Sequence, residues 1–126
     1  SAGLKPTDID HINTHGTSTP AGDTSEVMAI SKLFGDHVAN MPINSIKSMT
    51  GHLLGGSSAI EAVATVLTLR DGIIPPTINH FNDDPAIDPN LDIVYWEARK
   101  KDMTYAISNA FGFGGHNVSV IFKKYQ

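Results

Sequence analysis

Asp8-Ile9-Asp10-His11-Ile12-Asn13-Thr14, running straight into His15-Gly16-Thr17-Ser18-Thr19-Pro20-Ala21-Gly22-Asp23, is the stretch that decides the fold class. The first seven residues, with Ile9 and Ile12, read as a strand arriving at a polar loop. Thr19 followed by Pro20 suits a helix cap and first helical position: the hydroxyl can accept an orphan N–H, and proline lacks the N–H that would go unpaired there. Val27, Ile30, Leu33 and Phe34 then recur at helical spacing and Gly35 is a stop, which predicts a helix over 23–34. Strand, loop and helix in that order are the unit of an α/β layer.

Working outward, residues 41–45 read as a second short strand leading into the polar loop Ile46-Lys47-Ser48-Met49-Thr50-Gly51-His52. Ser58-Ala59-Ile60-Glu61 has the form of a capping box. Ile60, Val63 and Leu67 give the following helix a wide apolar face that should be buried on several sides, and Asp71-Gly72 ends it. Pro75-Pro76 and residues 82–90 are loop by composition. Residues 93–96, 105–109 and 118–122 read as strands, the last with Val118, Val120 and Phe122 on one face. Strands first and last with two helices between them indicate a mixed sheet.

The chain has 126 residues, with 9 Lys+Arg against 13 Asp+Glu and no cysteine. A net charge of −4 speaks against a nucleic-acid module, and the basic runs Arg99-Lys100-Lys101 and Lys123-Lys124 are too short to track a phosphate backbone. No apolar run approaches the roughly 18 residues of a membrane span, and the first residues lack a secretory signal's pattern. Neither nucleic acid nor membrane is an expected partner, and a cytoplasmic or organelle-matrix setting fits. Without cysteine there is no disulfide, thiolate metal site or cysteine nucleophile in this chain.

Six histidines invite a metal reading, but no H-E-x-x-H pattern accompanies them. His11, His37 and His80 read as ordinary surface or loop histidines. His15 and His52 each abut a glycine among hydroxyl residues at the end of an element, where a ligand can approach an imidazole closely; function and a plain loop role weigh equally there. Gly112-Phe113-Gly114-Gly115 fails the dinucleotide spacing, since Asn117 stands at its last position. A tight turn explains its glycines, whereas the aromatic Phe113 at the tip suits a gate. Gly55-Gly56-Ser57-Ser58-Ala59 misses the last glycine of a nucleophile elbow, so helix capping is the better account. Lys47 reads either as a buried cation or as a solvated side chain, and Glu61 as the back-reaching member of the capping box.

Three loops taken in order, 15–23, 47–52 and 109–117, resemble those of the β-ketoacyl–acyl-carrier-protein (ACP) synthases, with the closest similarity to the elongating synthase II type. The resemblance runs across essentially the whole chain. It implies a thiolase-like fold, two similar halves stacked as αβαβα layers, of which residues 1–126 would form the C-terminal half with a mixed sheet of five-stranded type. The N-terminal half, with its nucleophilic cysteine, and the opening strand and helix of this half would lie before Ser1. The implied activity is decarboxylative Claisen condensation of acyl-ACP with malonyl-ACP in fatty-acid elongation, and the chain alone should be inactive.

By this resemblance His15 and His52 are the catalytic histidines, Lys47 is the active-site lysine, and Phe113 is the gate. Thr17 and Thr19 would bond the phosphopantetheine arm carried by the substrates, and Asp23, Glu26 and Glu61 would support the charge network. No cofactor is required. Asn13, Glu61, Ser108 and Asn109 match a structural monovalent or divalent cation site of some members. The implied partners are acyl-ACP, malonyl-ACP, the N-terminal half and, in a homodimer, a second copy. A polyketide ketosynthase and a non-catalytic partner resembling a chain-length factor are the rival readings, with a metal-dependent hydrolase behind them. A half-molecule should also leave an apolar face uncovered.

Overall fold

The computed structural model describes residues 2–112 and 114–125. Phe113, expected as the gate, lies outside the described residues. Strand β1 (His11–Asn13) is the centre of a mixed sheet and is buried throughout. It runs parallel to β2 (Ile43–Asn44) on one side and to β5 (Tyr105–Gly112) on the other, and β6 (His116–Lys123) returns antiparallel to β5. The register sets Asn13 beside Asn44 and Ser108. Four strands stand where a sheet of five-stranded type was expected. Along the outer edge of β2 the fifth place is taken only by bridging contacts: Ile43 N–H donates to Asp92 O, and Val94 N–H to Ile43 O. The segment expected as a strand over 93–96 cannot extend, because Trp96 turns to a φ of 61°.

Helix α1 (Pro20–Phe34) ends at Gly35 as expected but begins at Pro20, three residues before the expected start at 23, and the Thr19 hydroxyl makes no capping bond, lying against that of Thr17 instead. It covers one face of the sheet: Val27, Ile30 and Phe34 pack with Ile9, Ile12, Ile43 and Ile107. The expected 46–52 loop contains one helical turn, α2 (Lys47–Thr50). Helix α3 (Ser57–Asp71) lies on the opposite face, closed by Gly72 in the left-handed conformation. There Leu69 packs with Ala106, Val94 and Met103, and with Ile74 of the ribbon formed by β3 (Ile73–Ile74) and β4 (Arg99–Lys100). Among the described residues no helix is long and apolar enough to cross a membrane.

Two expectations for α3 are overturned. Its cap is Gly56, two residues earlier than the capping box requires, and Glu61 reaches into the sheet rather than back to a cap. The side that the helix buries is also polar, carrying Ser57, Glu61, Thr65 and Thr68. The helix tolerates this because Thr65 and Thr68 donate their hydroxyls to Glu61 O and Ala64 O one turn back, so nothing polar is left unpaired. Ile60, Val63, Val66 and Leu67 face outward at 41–61% exposure. Val118 and Val120 on β6 are exposed as well.

His11 is not a surface residue. It is 1% exposed in the central strand, with Nε2 bonded to Asn44 Oδ1 at 2.8 Å. Burial outweighs that bond and, with the Lys101 charge nearby, lowers its pKa from 6.5 to about 4. The native state therefore resists a proton that the unfolded chain accepts. The resulting stability is complete above pH 6.5 and is lost as the pH falls toward 4, by about 3 kcal/mol at 1.36 kcal/mol per pKa unit. Urea titrations at pH 7 and pH 4 should show this loss as the difference between wild type and His11→Gln, whose amide does not titrate. Parallel pH dependence in the two proteins would contradict it.

Candidate active site

The site grows from the polar side chains of β1 and the loop that follows. Thr14 donates both its N–H and its hydroxyl to Asn44 O, which holds the loop against β2. At Gly16 the φ is +43°, and a Cβ would sit 2.6 Å from Ser45 Oγ, so the chain needs glycine for this close approach. Glu26, buried on α1, accepts the N–H of His15 at 2.8 Å, the N–H of Gly16 at 3.0 Å and the Asn109 amide at 3.1 Å. Burial still pushes its carboxyl up, although these donors pull the other way. The Glu26 carboxylate thus fixes the backbone on which His15 stands. Asp23 accepts the Ser18 N–H, and burial raises its pKa too.

His15 and His52, 37 positions apart in sequence, come together with ring centroids 5.6 Å apart and planes at 87°. The Phe111 N–H donates to His15 Nδ1 at 3.2 Å, and the Phe111 ring lies 5.2 Å from the imidazole. At His52, Nδ1 receives the Leu54 N–H at 3.3 Å and lies 3.0 Å from Ser57 Oγ. A backbone N–H can only donate, so both Nδ1 atoms are acceptors and both protons sit on Nε2. Among the described residues neither Nε2 has a partner. Burial, followed by the Lys47 charge and the neighbouring His52, lowers the pKa of His15, and Glu61 opposes the shift. That imidazole stays neutral below its ordinary range. Two uncharged N–H donors a few ångströms apart can hold an oxygen on which negative charge develops.

Lys47 is buried, and its ammonium lies 2.7 Å from Glu61 Oε2. The other carboxylate oxygen of Glu61 accepts the Asn13 amide at 2.9 Å. The solvated reading of Lys47 is therefore overturned. Thr17 and Thr19 sit together, their hydroxyls 3.2 Å apart. They line a cavity of about 590 Å³ that also reaches Lys47, His52 and Asp23, but not His15.

The four residues matched to a cation site are divided by the pleat of β5. Asn13, Glu61 and Ser108 converge, with Asn13 Nδ2 3.4 Å from Ser108 Oγ. Asn109 points the other way, between Glu26 and Ser119. With Lys47 already neutralising Glu61, the set does not aim four oxygens at one point. Among the described residues no group of three or more His, Asp or Glu side chains could hold a metal ion. His37 bonds Ile9 O, and His80 stacks on Tyr95 beside Asp83, both away from the paired imidazoles.

Sequence reasoning missed Phe111, Asn44 and Ser57. Phe111 and Ser57 lay inside motifs singled out for other residues, and Asn44 carried no signal of its own.

Comparison with known proteins agrees in sequence and shape. Residues 1–81 match the family model described as "Beta-ketoacyl synthase, C-terminal domain". The chain is 54% identical over 125 residues to 3-oxoacyl-[acyl-carrier-protein] synthase 2 of Synechocystis sp., covering 99% of this chain and 30% of that relative's length. Among solved structures it is similar to the ishigamide ketosynthase/chain length factor, at TM-score 0.90 and 39% identity, covering 98% of this chain and 30% of that one. It is also similar to a type II PKS ketosynthase solved in complex with its acyl-carrier protein, at TM-score 0.92 and 32% identity, with 98% and 30% covered.

Proposed function

The chain belongs to the β-ketoacyl synthase family, as its C-terminal domain, and from that premise we propose that it supplies the decarboxylating half of a 3-oxoacyl-ACP synthase active site. The observation that carries this reading is the neutral imidazole pair, each ring fixed with its proton on Nε2. The rest of the protein supplies the N-terminal half and its cysteine, which takes the acyl group from acyl-ACP. Malonyl-ACP then enters along Thr17 and Thr19, whose hydroxyls bond the phosphopantetheine arm. As the carbon–carboxylate bond breaks, its electron pair passes into the thioester and CO2 leaves. The enolate oxygen so formed is held by His15 and His52, which favour it over the uncharged ground-state carbonyl. The carbanion then attacks the acyl thioester, a carbon–carbon bond forms, and the cysteine thiolate departs.

The Lys47–Glu61 pair sets the electrostatics beneath the rings: the ammonium disfavours a second positive charge on His15. Glu26 and Asp23 position the loop through its backbone N–H groups. The outward apolar row of α3, with Val118 and Val120, supports a second layer packed against this one. A homodimer and a cytoplasmic or organelle-matrix setting complete the reading.

A fatty-acid role is favoured over a polyketide one by the higher identity to the synthase 2 relative. Retention of both imidazoles, with their Nδ1 partners in place, favours a catalytic domain over a chain-length-factor-like partner. Full-length protein given acyl-ACP and radiolabelled malonyl-ACP should release CO2 and yield 3-oxoacyl-ACP; absence of both would overturn the proposal. The 126-residue chain, having no cysteine, should show no acyl adduct by intact mass after the same treatment. An adduct would place the nucleophile in the wrong half.

A further inference from the structure

Ser57 opens α3 and is 6% exposed, yet its hydroxyl is not used as a helix cap. It accepts the Leu53 N–H at 2.7 Å and lies 3.0 Å from His52 Nδ1. The Leu54 N–H reaches the same nitrogen at 3.3 Å, which leaves Nδ1 without a proton and makes the serine O–H a donor to it. Of the two donors the hydroxyl is the closer, and the amide is the longer, weaker one. The bond from Leu53 occupies Oγ from the other side, so the O–H is directed at the ring.

We propose that Ser57 is a positioning residue for His52, donating to Nδ1 and thereby keeping the imidazole proton on Nε2, where the reaction needs it. This rests on the function proposed above for His52. Without the hydroxyl, Nδ1 keeps only the long backbone bond, and the ring gains freedom to tilt and to populate the Nδ1–H tautomer. The loss of one neutral hydrogen bond corresponds to about a three- to tenfold drop in rate. It should fall on kcat, with KM unchanged, because Ser57 does not touch the substrate.

The test uses full-length protein with isotope-labelled histidine. Ser57→Ala and Ser57→Cys, the second of which preserves volume but donates weakly, should both move His52 nitrogen resonances toward a mixture of tautomers and lower the malonyl-ACP decarboxylation kcat. Ser57→Thr, which keeps the hydroxyl, should retain the Nε2–H signature. If any one variant fails to fold, as judged by circular dichroism, the other two, read against wild type, still decide between hydroxyl and no hydroxyl. Unchanged His52 resonances in Ser57→Ala or Ser57→Cys would overturn the assignment, even if the rate fell. A tautomer change in protein that decarboxylates nothing would uphold Ser57 and defeat the functional reading instead.

Discussion

Glu61→Ala should lower the unfolding free energy by about 3–5 kcal/mol, making it the most damaging single substitution among the polar residues beneath the site. The reason is what remains behind. Lys47 keeps its charge in a place where its side chain is 4% exposed, and Asn13 loses the acceptor for its amide. A buried cation without a partner bears its full desolvation cost, whereas removing both charges leaves nothing to compensate. Lys47→Met combined with Glu61→Met should therefore recover most of the loss. Urea unfolding of the full-length protein and its variants measures both effects. A loss below about 1 kcal/mol in the single variant, which is the range of exposed pairs, would mean that the pair is solvated.

In the same protein, His15→Ala should slow malonyl-ACP decarboxylation by about 10²–10³-fold, as should His52→Ala. Each removes one of two donors aimed at the developing oxyanion. The distinguishing variant is His15→Gln. Its amide oxygen can take the Phe111 N–H and its nitrogen can still donate, so it should retain activity well above the alanine variant. If glutamine and alanine were equally inactive, His15 would be acting as an acid or base rather than as a fixed donor. If both alanine variants decarboxylated at the wild-type rate, the binding-partner reading would replace the catalytic one.

These expectations depend on a fold whose skeleton is local. The α1 boundaries follow from Thr19-Pro20 and Gly35, which act through backbone chemistry that needs no distant partner. The end of α3 at Gly72 is of the same kind. The strand order was less accessible. Residues 93–96 have strand composition, but Ile43 accepts them only through two backbone bonds before Trp96 turns away.

Glu61 shows why the rest was hidden. Its spacing from Ser58 satisfies the capping-box pattern, and only the approach of β1 and α2 gives it two stronger partners, the Asn13 amide and the Lys47 ammonium. The outward apolar row of α3 is a similar case, since a hydrophobic face is legible as a pattern while its direction depends on which layer arrives first.

Amino-acid order alone was enough to place His15 and His52 in loops at the ends of elements and to mark α/β architecture. Folding in three dimensions chose the hydrogen-bond partners: Phe111 for the Nδ1 of His15, Glu26 for the His15 loop, and Glu61 for Lys47, while Leu54 reaches the Nδ1 of His52 from two residues away. Caps and glycine stops are satisfied within a few residues of chain, whereas the protonation pattern of an imidazole is set by whichever donor the sheet carries to it from 96 residues away.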